Sequence, residues 1–400
     1  GGGGGGHVAG EGGGEEELPR GGSQRSTPLP RKGSLDAGSP LPTEGGGSPR
    51  QQQQGPGGGG QPQHALVVLF AEPLAGRVRG RLRPLEPLDF DAEREVLWGC
   101  FREAARDVAL RFDFATTERL RAHVTLGARA LHYSGHGHRE GLTFEDGQGG
   151  LQFVPHALLA ELCGAGAAGA GDGGGGLRFV FVSACHSALA GAAFVRAGVP
   201  HVVAVDAGAR LADAAAVAFH SAFYLALAVG GTVAEAFEIG RRAVAAAPAV
   251  PQAQRRAASA KFRLLPEGGD HGVPVFPGAR ALPRWPRCGP QTLGSTTSPL
   301  ATLDPAGAAR RWDLSHLPAV PEDFLGRQVE MFQCLNAVRR RRLVVLHGPP
   351  GVGKSAVAAA VARYAGQRGL YPIAHARLQG LRTAADFCRA VLRALAAAGL

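Results

Sequence analysis

Between residues 65 and 265, short apolar runs alternate with longer stretches whose apolar residues recur every three or four positions. The runs Ala65–Phe70, Val108–Phe114, Ala130–Tyr133, Leu177–Val182 and His201–Val205 predict strands, and Phe262–Leu265 a last one. Glu93 to about Asp107 predicts a helix with Val96, Leu97, Cys100 and Phe101 on one face. Thr117 is placed to cap a helix running to about Leu126. Leu142–Phe144 and Leu151–Phe153 flank Asp146-Gly147, which signals a hairpin. Pro155 opens a helix over Ala157–Cys163, and Ala-rich helices continue to about Ala247. Strands alternating with helices of this length imply an α/β fold: a mostly parallel sheet with helices on both faces. In such a sheet, ligands and chemistry sit at the carboxyl ends of the strands.

The flanks differ. Residues 1–64 are dominated by Gly, Pro and Gln and hold no Phe, Trp, Tyr or Ile. Such a segment buries too little apolar area to offset its ordering entropy, and it is expected to be a disordered arm. Gly164–Gly176 reads as a surface loop. The folded region is expected over 65–276, a Pro/Gly/Ser/Thr-rich linker over 277–311, and a second unit over 312–400. That unit predicts a helix to about Arg340, a strand at Leu343–Leu346, a Gly-rich loop and a helix through about Ala365.

Composition narrows the setting. The six cysteines are scattered, without a CxxC pair, and the N-terminus has no apolar leader. A reducing, cytoplasmic setting is expected rather than a disulfide-stapled secreted one. No apolar run approaches the ~20 residues of a membrane span, so no membrane partner is expected. The sole methionine is Met331, so the sequence is expected to begin inside a longer protein. The net charge of +10 is carried by dispersed arginines, with no aromatic-studded basic patch. Nucleic acid is therefore not the expected partner.

Two strand ends carry chemistry. His136 lies just past Ala130–Tyr133, and Cys185 just past Leu177–Val182. Adjacent parallel strands would bring both to one rim. A thiol needs a base or a cation nearby to act as a thiolate, and an imidazolium can protonate a leaving amine. Gly137, lacking a side chain, would let its N–H approach a developing oxyanion, with the Cys185 N–H as a second donor. A histidine about 50 residues before a catalytic cysteine is the caspase spacing. A metal reading of His132, His136 and His138, which share strand parity, is the alternative for this segment.

Three segments carry a resemblance: Leu131-His-Tyr-Ser-Gly-His-Gly137, Phe181-Val-Ser-Ala-Cys-His-Ser187 and Ala197-Gly-Val-Pro-His-Val-Val-Ala204. Together they resemble CHAT domains, caspase-like cysteine peptidases of clan CD. The resemblance implies His136 as the dyad histidine and Cys185 as the nucleophile. Metacaspases often place an acid two positions before the nucleophile to bind a basic side chain. Ser183 stands there, so a basic preference would need another acid, such as Asp206 or Asp213.

A second motif is independent. Gly348-Pro-Pro-Gly-Val-Gly-Lys-Ser355 follows the apolar run Leu343–Leu346 and precedes a helical stretch. This is the full G-x-x-x-x-G-K-S phosphate loop. Its backbone N–H groups, with Gly348, Gly351, Val352 and Gly353, would cradle phosphates. Lys354 would reach the β/γ-phosphates, and the Ser355 hydroxyl would hold Mg²⁺. Lys354 is one of only three lysines. Phe324-Leu-Gly-Arg327 is similar to the entry motif of STAND and AAA+ NTPases, which implies Arg327 near the nucleotide. No Walker B acid is recognisable in 356–400.

The expected protein is a CHAT-domain cysteine endopeptidase acting on a protein or peptide substrate. It is coupled to a STAND-type switch that binds ATP or GTP with Mg²⁺ in intracellular signalling and self-associates through the NTPase domain. The competing expectation is a non-catalytic CHAT scaffold, with the P-loop NTPase as the only active module.

Overall fold

The computed structural model describes residues 64–164, 176–206, 213–281, 314–321 and 324–400. The expected disordered arm, most of the Gly164–Gly176 loop and most of the linker lie outside the described residues. All described residues belong to one unit, 59–400.

The first element among the described residues is β1 (Ala65–Phe70), and a hairpin of β2 (Ala75–Val78) and β3 (Arg81–Pro84) leads into α1 (Phe90–Ala104). β4 (Ala109–Phe114) and α2 (Thr117–Thr125) precede β5 (Ala130–Ser134). β6 (Gly137–His138), β7 (Gly141–Glu145) and β8 (Leu151–Pro155) form a small antiparallel sheet, followed by α3 (His156–Gly164). β9 (Phe179–Ser183), α4 (Ser187–Arg196) and β10 (His201–Val205) come next. α5 (Asp213–Ala228), α6 (Val233–Ala246), α7 (Gln252–Ala260) and β11 (Phe262–Leu265) complete the main sheet region. α8 (Gln328–Arg340), α9 (Lys354–Gln367) and α10 (Ala384–Ala397) form the last part.

The main sheet has six strands in the order β4-β1-β5-β9-β10-β11. Every neighbouring pair is parallel except β10–β11. Because side chains alternate across a strand, each strand serves two cores. Leu66, Val68, Phe70, Phe179 and Phe181 face α1, α5 and α6. Val67, Leu69, Leu131, Tyr133, Val180 and Val182 face α2, α3 and α4. Both faces of the sheet are covered, which is why the strands read as near-continuous apolar runs. The expected α/β class with a mostly parallel sheet is the one observed.

Local boundaries differ from the periodicity by a few residues. Asp89 caps α1 by accepting from the Ala92 N–H at 3.0 Å, so the helix starts three residues before Glu93. Thr116, not Thr117, caps α2 by accepting from the Arg119 N–H. The β2–β3 hairpin and α7 were not expected. The hairpin carries Arg77, Arg81 and Arg83, β3 is mostly exposed, and the turn is made by Arg79 and Gly80, at φ 49° and 76°. The strand expected at Leu343–Leu346 does not form. The run pairs with no strand among the described residues, and Leu343 and Val345 stay exposed. An apolar run becomes a strand only where a neighbour supplies the ladder.

α8 and α9 do pack. Met331, Leu335, Val357, Val361 and Tyr364 gather with Leu74, which follows β1, in a third core cluster.

Candidate functional site

β5 and β9 are adjacent and parallel, with Ser134 opposite Ser183 at their carboxyl ends. The chains leaving those two positions carry His136 and Cys185. The Gly135 N–H donates to the Ser183 carbonyl at 3.2 Å, so the two strand exits are hydrogen-bonded to each other. Gly137 lies against the next turn. A β-carbon built on it would come 1.8 Å from the Cys185 carbonyl oxygen and 3.2 Å from the Ala184 β-carbon. Only glycine admits this approach.

His136 is oriented by backbone. Its Nε2 lies 2.8 Å from the Glu86 carbonyl oxygen. A carbonyl only accepts, so Nε2 is the donor and carries a proton. The His136 carbonyl accepts from both the N–H of Thr143, at 3.1 Å, and its hydroxyl, at 2.8 Å. The Tyr133 hydroxyl donates in turn to the Thr143 carbonyl. β7 thus holds the His136 loop in place.

Cys185 is exposed at the turn between β9 and α4. His186, next to it, sits in the left-handed region at φ 56°, and its Nδ1 is buried without a partner among the described residues. The buried Ser187 anchors the turn. Its hydroxyl oxygen lies 3.1 and 3.2 Å from the Val182 and Val205 carbonyls, and it accepts from the Val205 N–H at 2.7 Å. This hydroxyl fastens the start of α4 to the ends of β9 and β10. Other cysteines have a different character. Burial pushes the Cys100 thiol up to about 11 and the Cys163 thiol up to about 12, which keeps both as protonated core residues.

Beneath the rim lies a buried polar network. Glu93 of α1 pairs with His132 Nε2 at 3.0 Å and His220 Nδ1 at 3.4 Å, and accepts from the Ser134 hydroxyl at 2.5 Å. His132 Nδ1 bonds the Tyr224 hydroxyl at 2.7 Å. Burial alone would raise the Glu93 carboxyl, but His132 leads the partners that hold it at about 2. Burial lowers His220 to about 4. His132 is therefore a structural residue with both ring nitrogens engaged, and the three-histidine metal reading is set aside. Among the described residues no group of His, Cys, Asp or Glu is arranged to hold a metal. Asp206 pairs with Arg263 at 3.2 Å, and the Asp213 side chain lies outside the described residues.

At the second site, Gly348, Gly351 and Gly353 take φ values of 151°, 80° and 90°, which side chains resist. α9 begins at Lys354 with no side-chain cap, so its first N–H groups are left for an anion. Lys354 Nζ donates to the Gly348 and Pro349 carbonyls at 3.1 and 2.9 Å, which holds its charge over the loop. Ser355 lies exposed in the first turn. Arg327 reaches the same loop, with Nη2 3.5 Å from the Val352 carbonyl, and pairs with Glu330 at 2.9 Å. These residues fit a nucleotide's phosphates.

A family model described as the CHAT domain matches residues 46–266, more than half of the chain. The chain belongs to the CHAT domain family. A second model, described as an AAA ATPase domain, matches residues 323–400 and implies nucleotide binding. A comparison with curated proteins gave no match. Among solved structures, the Arg-specific cysteine proteinase gingipain R matches at 14% identity and a TM-score of 0.38. The match covers 55% of this chain and 48% of that one, so this chain spans about half its length. A likeness of that size does not establish a shared mechanism or substrate. No helix among the described residues is long and apolar enough to cross a membrane.

The sequence singles out His136, Gly137, Cys185 and the phosphate loop, and the fold sets Gly137 against the Cys185 backbone. Sequence reasoning missed the Glu86 carbonyl, Thr143, Ser187 and Glu93. A backbone acceptor leaves no trace in side-chain identity, and the others carry no local spacing signal.

Proposed function

We propose that residues 65–276 form a cysteine endopeptidase with Cys185 as nucleophile and His136 as its acid and base. The observation that carries this is the approach of Gly137 to the Cys185 backbone at the ends of two paired strands. His136 Nδ1 takes the thiol proton, and sulfur attacks the carbonyl carbon of a peptide substrate. The N–H groups of Gly137 and Cys185 stabilise the oxyanion. The C–N bond breaks as His136 gives its proton to the leaving amine. Water, deprotonated by His136, then releases the acyl group and restores the thiol.

Residues 277–311 link this unit to a nucleotide switch of STAND type over 312–400. Gly348, Gly351, Val352, Gly353 and Lys354 hold the phosphates of ATP or GTP, Ser355 holds Mg²⁺, and Arg327 lies beside them. A bound nucleotide supplies concentrated negative charge at the start of α9. The setting we propose is cytoplasmic signalling, with nucleotide state controlling self-association and thereby proteolysis.

The test is a peptide-library cleavage assay on the full-length chain with ATP and Mg²⁺. Cleavage that disappears in Cys185→Ala supports the peptidase. Cleavage that persists in that variant removes Cys185 as the nucleophile, and none from wild type leaves the CHAT region a scaffold.

A further inference from the structure

The helix that starts at the phosphate loop ends in the CHAT region. α9 is 14 residues long, so about 21 Å separate Lys354 from its far end. There Arg368 turns into the protein with only 4% of its side chain exposed. Its Nε and Nη2 meet Glu145 Oε2 and Oε1 at 2.7 and 2.9 Å, a two-point fork. Nη2 also reaches the Glu72 carbonyl at 3.2 Å and its carboxylate at 3.3 Å. The guanidinium carbon lies 3.8 Å from the Phe114 ring centre and 3.4 Å from that of Tyr364. The Tyr364 hydroxyl adds bonds to Glu145 and the Glu72 carbonyl, both at 3.3 Å. One buried cation thus faces two carboxylates. A solvated domain junction needs nothing so desolvated or so directional.

Glu145 is the last residue of β7. Two residues earlier, Thr143 donates twice to the His136 carbonyl. Glu145 itself is fixed through its N–H to the Ala115 carbonyl at 2.7 Å and accepts from the Glu72 N–H at 3.0 Å. A short rigid path therefore runs from Lys354 along α9 to Arg368, across to Glu145, and through Thr143 to the loop carrying His136. Leu335 and Tyr364 add apolar contact beside it.

We infer that the Arg368–Glu145 contact is a strap through which phosphate binding at Lys354 alters the hold on the His136 loop. This rests on the nucleotide reading above and adds the route by which it acts. Coupling of this kind is reciprocal and amounts to roughly fivefold to a hundredfold in an equilibrium.

The experiment uses the full-length chain and a fluorescent ATP analogue with Mg²⁺. Binding is read by anisotropy, and amide hydrogen exchange by mass spectrometry over residues 136–145. Saturating nucleotide is expected to change exchange there by about fivefold or more in wild type. In Glu145→Gln the nucleotide should still bind, and its effect on 136–145 should vanish. Arg368→Lys, which keeps the charge and loses the fork, should behave alike and serves if the first variant does not fold. Unchanged exchange in nucleotide-saturated wild type overturns the strap alone. An undiminished effect in the folded variants does the same. Failure of wild type to bind nucleotide overturns the strap together with the reading beneath it.

Discussion

Gly137 lies flat against the carbonyl of Cys185, with no room for a methyl group between them. The contact is backbone to backbone, so neither side can rotate away. Gly137→Ala must push the His136 loop off the Cys185 turn. We expect a destabilisation of about 1–3 kcal/mol, the range for overpacking. We also expect peptide cleavage to fall by at least about a hundredfold, as for loss of an oxyanion donor. Thermal unfolding and the library assay read the two effects separately.

Ser187→Ala removes the hydroxyl that ties α4 to the ends of β9 and β10. The Val205 N–H is left buried without its acceptor, which costs about 1–3 kcal/mol. Denaturant unfolding should show a lower midpoint at unchanged slope. Cleavage should fall with turnover affected more than substrate affinity, because the turn that aims Cys185 is loosened.

Acid should destabilise the fold through the network under the rim. Folding lowers His220 from its ordinary 6.5 to about 4, so between those values the unfolded chain binds a proton that the folded chain refuses. Stability therefore falls as pH drops from about 6.5 to 4, by on the order of 3 kcal/mol in total. Glu93, held at about 2 against an ordinary 4.5, acts in the same direction lower down. Its contribution is full above 4.5 and is lost as pH falls towards 2. Urea unfolding at pH 7 and pH 5 should show the difference, and His220→Phe should flatten it.

Lys354→Ala should weaken binding of a fluorescent ATP analogue by at least about a hundredfold while leaving the fold intact. Among the described residues, the Lys354 ammonium bonds to the two loop carbonyls of Gly348 and Pro349, at 3.1 and 2.9 Å. Anisotropy titration against wild type checks this, and equal affinities would remove Lys354 from the phosphate site.

The rim was legible because strands buried on both faces announce themselves. Ala130–Tyr133 and Leu177–Val182 are apolar enough that the residues just beyond them stand out. The phosphate loop was legible because its glycines and lysine are constrained by backbone geometry at fixed spacing. The strap was not legible. Arg368 is one of many arginines, and Glu145 lies more than two hundred positions away, in a hairpin strand. Charged residues of this kind look like solvated surface until the fold brings them together. The same holds for Glu93 and His220, which meet only because α1 and α5 share a face of the sheet. Leu343–Leu346 shows the opposite error. Its apolar pattern reads as a strand, yet strand formation depends on a neighbour that the local pattern does not supply.

The most direct test of the dyad is a cleavage comparison among Cys185→Ala, His136→Ala and the double variant. Residues that act as one catalytic unit are strongly non-additive. The account predicts that each single variant loses cleavage to the same floor and that the double variant goes no lower. A His136→Ala variant that cleaves like wild type, or losses that multiply in the double variant, would contradict it.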